Sequence, residues 1–255
     1  MPYSKNNTDL IESGACWCFY KNLALGSTQG GPTVGVENTT HEVLIDQNGQ
    51  EVVAETGLGG KAMAEVPMVE TNPGLLAAIV PAAEAVSDPS DYLSDPGTSY
   101  AAGEVTTALA IPSTIKVGDI AEYEAASGTV FGVVAQYDIA NKKIKLMDGN
   151  EAPVASPSVF KLYAVNGVKF HSSAGLNLKA IAGELIFIPK DENVTNYHIL
   201  PLAGVNFNPE SQFDNETERI MNISFTGYPD ASKEHSTLAT GLVYYVGTKA
   251  AYDTL

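Results

Sequence analysis

Short apolar runs separated by polar turns dominate the last third of the chain. The runs cover residues 185–188, 197–202 and 220–225, and each is rich in β-branched or aromatic side chains. In the third run, Met221, Ile223 and Phe225 alternate with polar residues, which is typical of a strand with one buried face. The pattern therefore predicts an antiparallel meander of three strands.

The first third of the chain shows similar alternation, followed by one helix signal. Strands are predicted at residues 33–37, 41–46 and 62–69. Thr71 or Asn72 is a candidate N-cap, and Pro73 suits a first helical turn. We expect a helix over residues 72–86 whose apolar side packs on a sheet, with Pro81 kinking or ending it.

Residues 87–167 differ in composition from the segments on either side. Residues 87–103 are dense in Asp, Ser, Pro and Gly, as in a linker or an ordered loop. Five short strand patterns follow before residue 167. We therefore predict a small antiparallel β module at 87–167, inserted between the two halves of a main domain, residues 1–86 and 168–255.

The segment 46–60 is too long and too rich in glycine for a simple hairpin connection. Long connections inside a compact domain are usually binding loops or disordered segments. Val52 and Val53 are an apolar pair that could anchor this loop across an interface. The alternative is a surface hairpin without a binding role.

The chain is strongly acidic, with 30 acidic and 14 basic residues and a formal net charge of −16. Nucleic-acid binding depends on Lys and Arg neutralising phosphates, so this charge argues against a DNA- or RNA-binding module. It is compatible with a surface past which DNA slides without adhering, since like charges repel. The simpler interpretation is that the charge keeps the protein soluble.

Candidate chemistry is sparse along the chain. Cys16 and Cys18 are predicted on one face of a strand, too close along it for an easy disulfide, so we expect buried free thiols. Zinc would need two further ligands, and the four histidines show no paired spacing. The segment around His171 lacks a nucleophile elbow, and the acidic residues cluster in turns. We expect no enzyme activity, no cofactor, no metal and no membrane span, and the N-terminus does not resemble a secretory signal.

The order of these segments resembles that of siphophage-type tail tube proteins, the major tail protein family. The resemblance is carried by the sequences GELIFIP at 183–189, YPD at 228–230, LGSTQGGPTVGVE at 25–37 and VLIDQNGQE at 43–51. It covers residues 25–86 and 168–246. The inserted module is not part of the basic family pattern.

The resemblance implies a mainly β fold, an antiparallel β-sandwich or open barrel with one packed α-helix. Subunits would form hexameric rings stacked into a tube, with neighbouring strands completing a barrel around a negatively charged channel. Viral DNA would pass through this channel without specific binding. The other expected partners are tail proteins such as the tape measure and the tail terminator. The expected location is the virion tail, assembled in the host bacterial cytoplasm.

By the same resemblance, the 46–60 loop would contact the next ring. The stacking candidates are Asp46, Gln47, Asn48, Glu51, Val52, Val53 and Glu55. The lumen candidates, chosen because they flank barrel-like strands, are Glu42, Asp46 and Glu184. The alternative function is a β-rich capsid-decorating or host-surface-binding module, in which the insert would be the functional part.

Overall fold

The fold is mainly β, and its strand pairs are antiparallel. A computed structural model describes residues 15–45, 51–69, 72–87, 93–95, 99–101, 104–147, 152–153, 160–190, 196–207, 220–234 and 240–255. Most strands in these ranges belong to two sheets, which we call the main sheet and the second sheet. The mainly β prediction is therefore confirmed.

The elements are numbered in chain order. The first are β1 (Cys16–Tyr20), β2 (Leu23–Ala24), β3 (Thr33–Ile45), β4 (Glu51–Met68), α1 (Pro73–Ile79), β5 (Ala83–Ser87), β6 (Leu93–Asp95), β7 (Ser99–Ala101), β8 (Glu104–Thr106), β9 (Ile120–Ala125) and β10 (Gly128–Asp138). They are followed by β11 (Lys143–Leu146), β12 (Phe160–Tyr163), β13 (Val165–Phe170), β14 (Gly183–Pro189), β15 (Tyr197–Asn206), β16 (Met221–Tyr228), β17 (Asp230–Glu234), β18 (Gly241–Leu242), β19 (Tyr245–Gly247) and α2 (Lys249–Tyr252).

The main sheet is the larger of the two, and the fold includes a half-barrel. The strand order of the main sheet is β2-β1-β14-β15-β16-β4-β3, with β19 pairing to β15 as well. Strands β14, β15 and β16 are consecutive antiparallel neighbours, with Leu185 opposite Leu200 and Val205 opposite Phe225. The predicted meander is confirmed.

One face of the main sheet carries the larger hydrophobic core. Ile223 and Phe225 of β16 are fully buried there, as the period-2 pattern predicts. The ring of Tyr20 packs against that of Phe225 with centroids 5.2 Å apart. Leu75 and Leu76 of α1 cover the same core, so the helix packs on this sheet.

Helix α1 begins where the sequence predicts and ends earlier. The side chain of Asn72 caps it by accepting hydrogen bonds from the backbone N–H groups of Gly74 and Leu75, at 3.0 and 3.4 Å. The predicted extent of 72–86 is wrong beyond Ile79, because Ala83–Ser87 is strand β5 and pairs with β13. Pro81 lies between the two elements, where it ends the helix.

The second sheet is built from strands between residues 93 and 163, in the order β6-β12-β9-β10-β11-β8-β7. It has its own buried cluster, in which the rings of Tyr123 and Phe160 stack with centroids 5.9 Å apart. Two buried carboxylates fix its loops. Asp95 accepts the N–H of Leu109 at 2.9 Å, and Asp119 accepts the N–H of Val165 at 3.1 Å.

The second sheet joins the main core through a close backbone contact with α1. Gly118, at φ +93°, lies so near Gly74 that a Cβ on Gly118 would be 2.2 Å from the carbonyl carbon of Gly74. The side-chain amide of Asn72 donates to the carbonyl of Val117 at 2.6 Å. Ala135 of β10 is buried within the main core cluster. These contacts fix α1 between the two sheets.

The C-terminal segment, residues 240–255, reaches both faces of the main sheet. Val243 and Tyr244 pack against the large core, whereas Leu242, Tyr245 and Tyr252 pack on the opposite face. The segment contains two short strands, β18 and β19, and β19 pairs with β15. A second helix, α2, follows, which the sequence pattern does not predict. Tyr252 of α2 is buried against Ile186 and Ile199, which form a small cluster there.

Candidate assembly surface

The β3–β4 hairpin extends well beyond the main sheet. Strand β4 pairs with β16 through residues 62–68, whereas its pairing with β3 continues to residue 51. Residues 37–45 and 51–61 therefore form a two-stranded ribbon, which we call the arm. At about 3.3 Å per residue, its β3 half spans about 30 Å.

The arm corrects the prediction of a single loop over 46–60. Residues 51–60 belong to β4, where Glu51 is opposite Ile45 and Val52 is opposite Leu44. Two register shifts interrupt the ladder, between Thr39 and Thr40 and between Val43 and Leu44. Such bulges bend and twist a ribbon, and they disturb the alternation by which a strand is recognised in a sequence.

The stacking candidates are therefore divided between the arm and the segment beyond it. Glu51, Val52, Val53 and Glu55 lie in β4 on the arm. The lumen candidate Glu42 lies in β3, opposite Glu55. Asp46, Gln47 and Asn48 lie outside the described residues. The ring-contact role of all these residues stays a prediction.

Strand β3 is an edge of the main sheet, and it is long. In the part of the chain that the structure describes, β4 is its one neighbour, so its outer row of backbone groups has no partner strand there. Glu37, Asn38 and Thr39 are exposed along it. A long exposed edge is a template on which another chain can pair.

The face of the main sheet opposite the large core is open and polar beside this edge. Three strands place Thr33, Glu65 and Ser224 in one row across it. Gly35 and Met63 form the next row on this face, and in the row after it Glu37 is opposite Lys61, with their charged groups 3.4 Å apart. We call this region of β3, β4 and β16 the open face.

The residues of the open face were not candidates in the sequence analysis, although a signal was available. In β4, Ala62, Ala64, Val66 and Met68 are buried, whereas Lys61, Met63 and Glu65 between them are exposed. The alternation that predicts this strand therefore also indicates which of its residues point away from the core. Lys61, Met63 and Glu65 are the ones that face outward.

Glu184 occupies a different environment from these open-face acids. It lies on β14, on the side covered by the C-terminal segment, and is partly buried. Its carboxylate is 4.0 Å from the ammonium of Lys249 in α2. Burial first, and the nearby Glu184 carboxylate second, raise the pKa of the Tyr252 hydroxyl. The structure thus ties Glu184 to α2, and its predicted lumen role stays a prediction.

Titratable groups also meet on the surface of the second sheet. The Tyr163 hydroxyl donates to Glu122, and the ammonium of Lys161 lies 3.2 Å from the same carboxylate. The Tyr163 hydrogen bond is the main reason that the pKa of Glu122 is lowered, and Lys161 adds to it. This is an ion-pair arrangement on a partly exposed sheet surface.

Neither a metal centre nor a membrane helix is found among the described residues. No group of three or more His, Cys, Asp or Glu side chains is placed to hold a metal ion there. No helix in those ranges is long and apolar enough to cross a membrane.

Comparison with known proteins does not add a relative. The sequence matches no protein-family model, and no curated protein matches it significantly. The resemblance to tail tube proteins therefore rests on the order and pattern of the segments quoted above. Any function must be argued from the geometry of this chain.

Proposed function

We propose that this protein is the subunit of a phage tail tube, a structural protein that forms rings and stacks them around a channel for DNA. The observation that carries this proposal is the arm, a ribbon about 30 Å long that extends from the edge of the main sheet. A ribbon paired only within itself has no core of its own to bury. Contact with another subunit would supply that burial.

The half-barrel of the fold and the edge of the main sheet support ring formation. A half-barrel is completed when strands of neighbouring subunits continue its sheet, and a closed barrel leaves no exposed edge. The long β3 edge offers the backbone groups for such pairing. Rotational symmetry then gives every subunit the same two contacts. Six subunits in a ring is the expectation from the family resemblance.

The open face suits the wall of the channel. It is polar, and it lies opposite the face that α1 and the second sheet cover. Glu37 and Glu65 place carboxylates on it, against one nearby cation, Lys61. In a chain with a net charge of −16, a wall of this kind repels the phosphate backbone and lets DNA slide. We propose Glu37 and Glu65 as lumen residues in addition to those expected from the sequence.

Negative-stain electron microscopy of the purified full-length protein, before and after concentration, tests the proposal. We expect hollow tubes or six-fold rings that become more abundant as the protein concentration rises. Some tube subunits polymerise only when an initiator is present. A second experiment therefore adds the other tail proteins to the purified protein. Small particles that persist while the rest of a tail assembles would overturn the proposal.

A decorating or host-surface-binding module is the second candidate, and one observation favours it. The second sheet has its own core and exposes large side chains, with Phe131 64% and Tyr137 40% accessible. A binding module would stay a monomer or a small closed oligomer at all concentrations. Light scattering coupled to size-exclusion chromatography distinguishes that behaviour from polymerisation.

A further inference from the structure

Two thiols meet on one face of β1, independently of the proposed assembly. Cys16 and Cys18 are separated by one residue, so their side chains project from the same side of the strand. Their sulfur atoms are 3.9 Å apart. Both are free thiols.

The surroundings of the two thiols are unequal. Cys18 is buried, with 5% of its surface exposed, whereas Cys16 is only partly covered. Cys16 is opposite Pro189 in the β1–β14 ladder, and this pairing brings Lys190 beside it. The Lys190 ammonium lies 4.0 Å from the centre of the Trp17 ring, between the two cysteines in sequence. Trp17 projects from the other side of the strand, so Lys190 adds only a weaker, longer-range attraction to an anion on Cys16.

These contacts also separate the acidities of the two groups. A hydrogen bond from the Cys18 thiol, together with Lys190, lowers the pKa of Cys16 to about 7, against the opposing effect of burial. The same hydrogen bond and burial raise the pKa of Cys18. At neutral pH, Cys16 is therefore the better nucleophile and Cys18 the protonated donor.

We propose that Cys16 and Cys18 form a thiol oxidation site, in which Cys16 attacks a small disulfide such as oxidised glutathione and Cys18 resolves the product. In the first step the Cys16 thiolate bonds to one glutathione sulfur, the S–S bond breaks, and one glutathione thiolate leaves. In the second step Cys18 loses its proton to that thiolate or to water. Its sulfur then bonds to the Cys16 sulfur and displaces the second glutathione. The protein is oxidised by two electrons, and oxidised glutathione is reduced to two thiols.

The strand geometry makes the product easy to reduce again. Residues two apart in a strand have Cα atoms about 6.6 Å apart, near the upper limit for a disulfide. Closing the bridge therefore strains β1, and strained disulfides are the labile ones. This site would respond to the redox state of its surroundings instead of holding a permanent cross-link.

The test treats the folded full-length protein with oxidised glutathione at a series of pH values and reads the product by intact mass and peptide mapping. We expect the wild-type chain to lose two hydrogens and to carry an internal Cys16–Cys18 bridge. C18S should stop at the mixed disulfide, with one glutathione per chain. At pH 7 it should form this adduct at least about tenfold faster than C16S, because the introduced serine keeps a hydroxyl donor for the Cys16 thiolate.

Each alternative product overturns the inference. Two glutathiones on the wild-type chain would show that Cys18 does not resolve the adduct. No reaction of the folded chain, with both thiols titrating after unfolding, would show that the pair is inaccessible. Faster reaction of C16S than of C18S would overturn the assignment of Cys16 as the attacking group. If a variant fails to fold, the wild-type chain alone still tests the inference. Its rate of reaction with oxidised glutathione should rise with pH through a midpoint near pH 7, where Cys16 ionises.

Discussion

Tyr20 shows at the scale of one residue how the main core accommodates a polar group. Its ring packs on Phe225, and its hydroxyl donates to the carbonyl of Ala203 at 3.0 Å. The side chain is 2% exposed, and burial raises the pKa of its hydroxyl to about 12. The hydrogen bond satisfies a donor that would otherwise be buried without a partner.

Tyr20→Phe should lower the free energy of unfolding by about 1–2 kcal/mol at pH 7, since it removes this hydrogen bond. In the unfolded chain the hydroxyl ionises near pH 10, below its folded pKa of about 12. The contribution of Tyr20 is therefore fully present below pH 10 and is lost as the pH rises towards 12. Urea unfolding at several pH values should show a shallower alkaline decline for the variant than for the wild type.

The control is Tyr100→Phe, at an exposed tyrosine of β7. We expect it to change the free energy of unfolding at pH 7 by no more than about 0.5 kcal/mol. An equal alkaline decline in the wild type and Tyr20→Phe would contradict the role assigned to Tyr20.

At the scale of elements, the contact between α1 and the loop before β9 holds the second sheet on the main core. Gly74 and Gly118 touch backbone to backbone, and neither position has space for a Cβ. The neighbouring groups are backbone atoms, which cannot move aside as a flexible side chain can. Glycine is therefore required at Gly118 both by its positive φ and by the close approach.

Gly118→Ala should destabilise the protein by about 3 kcal/mol or more, because strain and overlap add. Gly128→Ala is the matched control, since Gly128 has φ +111° with nothing within 4 Å of a Cβ. We expect the control to lose about 1–2 kcal/mol from backbone strain alone. Thermal unfolding of both variants measures the difference in stability. Equal losses of stability would show that the close contact of Gly118 with α1 adds no cost beyond backbone strain.

The arm is the second element whose role can be tested directly. His41 and Thr56 are paired across it, so an Asn-Gly turn in place of residues 42–55 would close a shorter hairpin. We expect the melting temperature to change by only a few degrees, since the variant keeps residues 62–68 of β4, which pair with β16 and supply Ala62, Ala64, Val66 and Met68 to the core. The variant should no longer form tubes. Negative-stain microscopy measures tube formation, and circular dichroism checks that the variant is folded.

The control places the same Asn-Gly turn in the second sheet. It replaces Ala126 and Ser127, which lie between the paired residues Ala125 and Gly128. This variant should still form tubes. If the variant with the shortened arm formed normal tubes, the arm would not be needed for contact between subunits.

At the scale of the whole molecule, the position of the acidic residues, on the open face or on the second sheet, matters more for DNA passage than the total net charge. The open face carries Glu37, bridged to Lys61, and Glu65. The second sheet carries a similar set, with Glu104 bridged to Lys143 at 2.8 Å and Glu124 exposed. The two sets allow equal changes of charge at different places.

Reversing both open-face acids, Glu37→Lys with Glu65→Lys, should make the tubes that form retain DNA. The reason is that a positive channel wall attracts phosphates, and this attraction weakens as salt is added. Cosedimentation of tubes with short duplex DNA at several salt concentrations measures retention, and the titre of particles carrying the variant measures passage. Glu104→Lys with Glu124→Lys is the control and should preserve the titre. Equal titres for both double variants would refute the lumen assignment.

The sequence by itself determined the features that depend on neighbouring residues. The period-2 alternation around Ile223 and Phe225 specified the buried face of β16, because successive side chains of a strand point to opposite sides. Asn72 and Pro73 specified where α1 begins, and Pro81 specified that the helix could not continue. Each of these is a local constraint, so no tertiary information was needed to find it.

Only the tertiary structure decided the features that depend on pairing between distant residues. Ala83–Ser87 has a helix-favouring composition, yet it is a strand because β13, some 80 residues away along the chain, supplies its hydrogen bonds. Residues 51–60 are extended for the same reason, because β3 provides a ladder that their own sequence does not indicate. The placement of Glu37 and Glu65 on the open face, and of Glu184 beside α2, follows from which strands are neighbours. Strand order is a non-local property, and it is the property that separates the candidate assembly surface from the core.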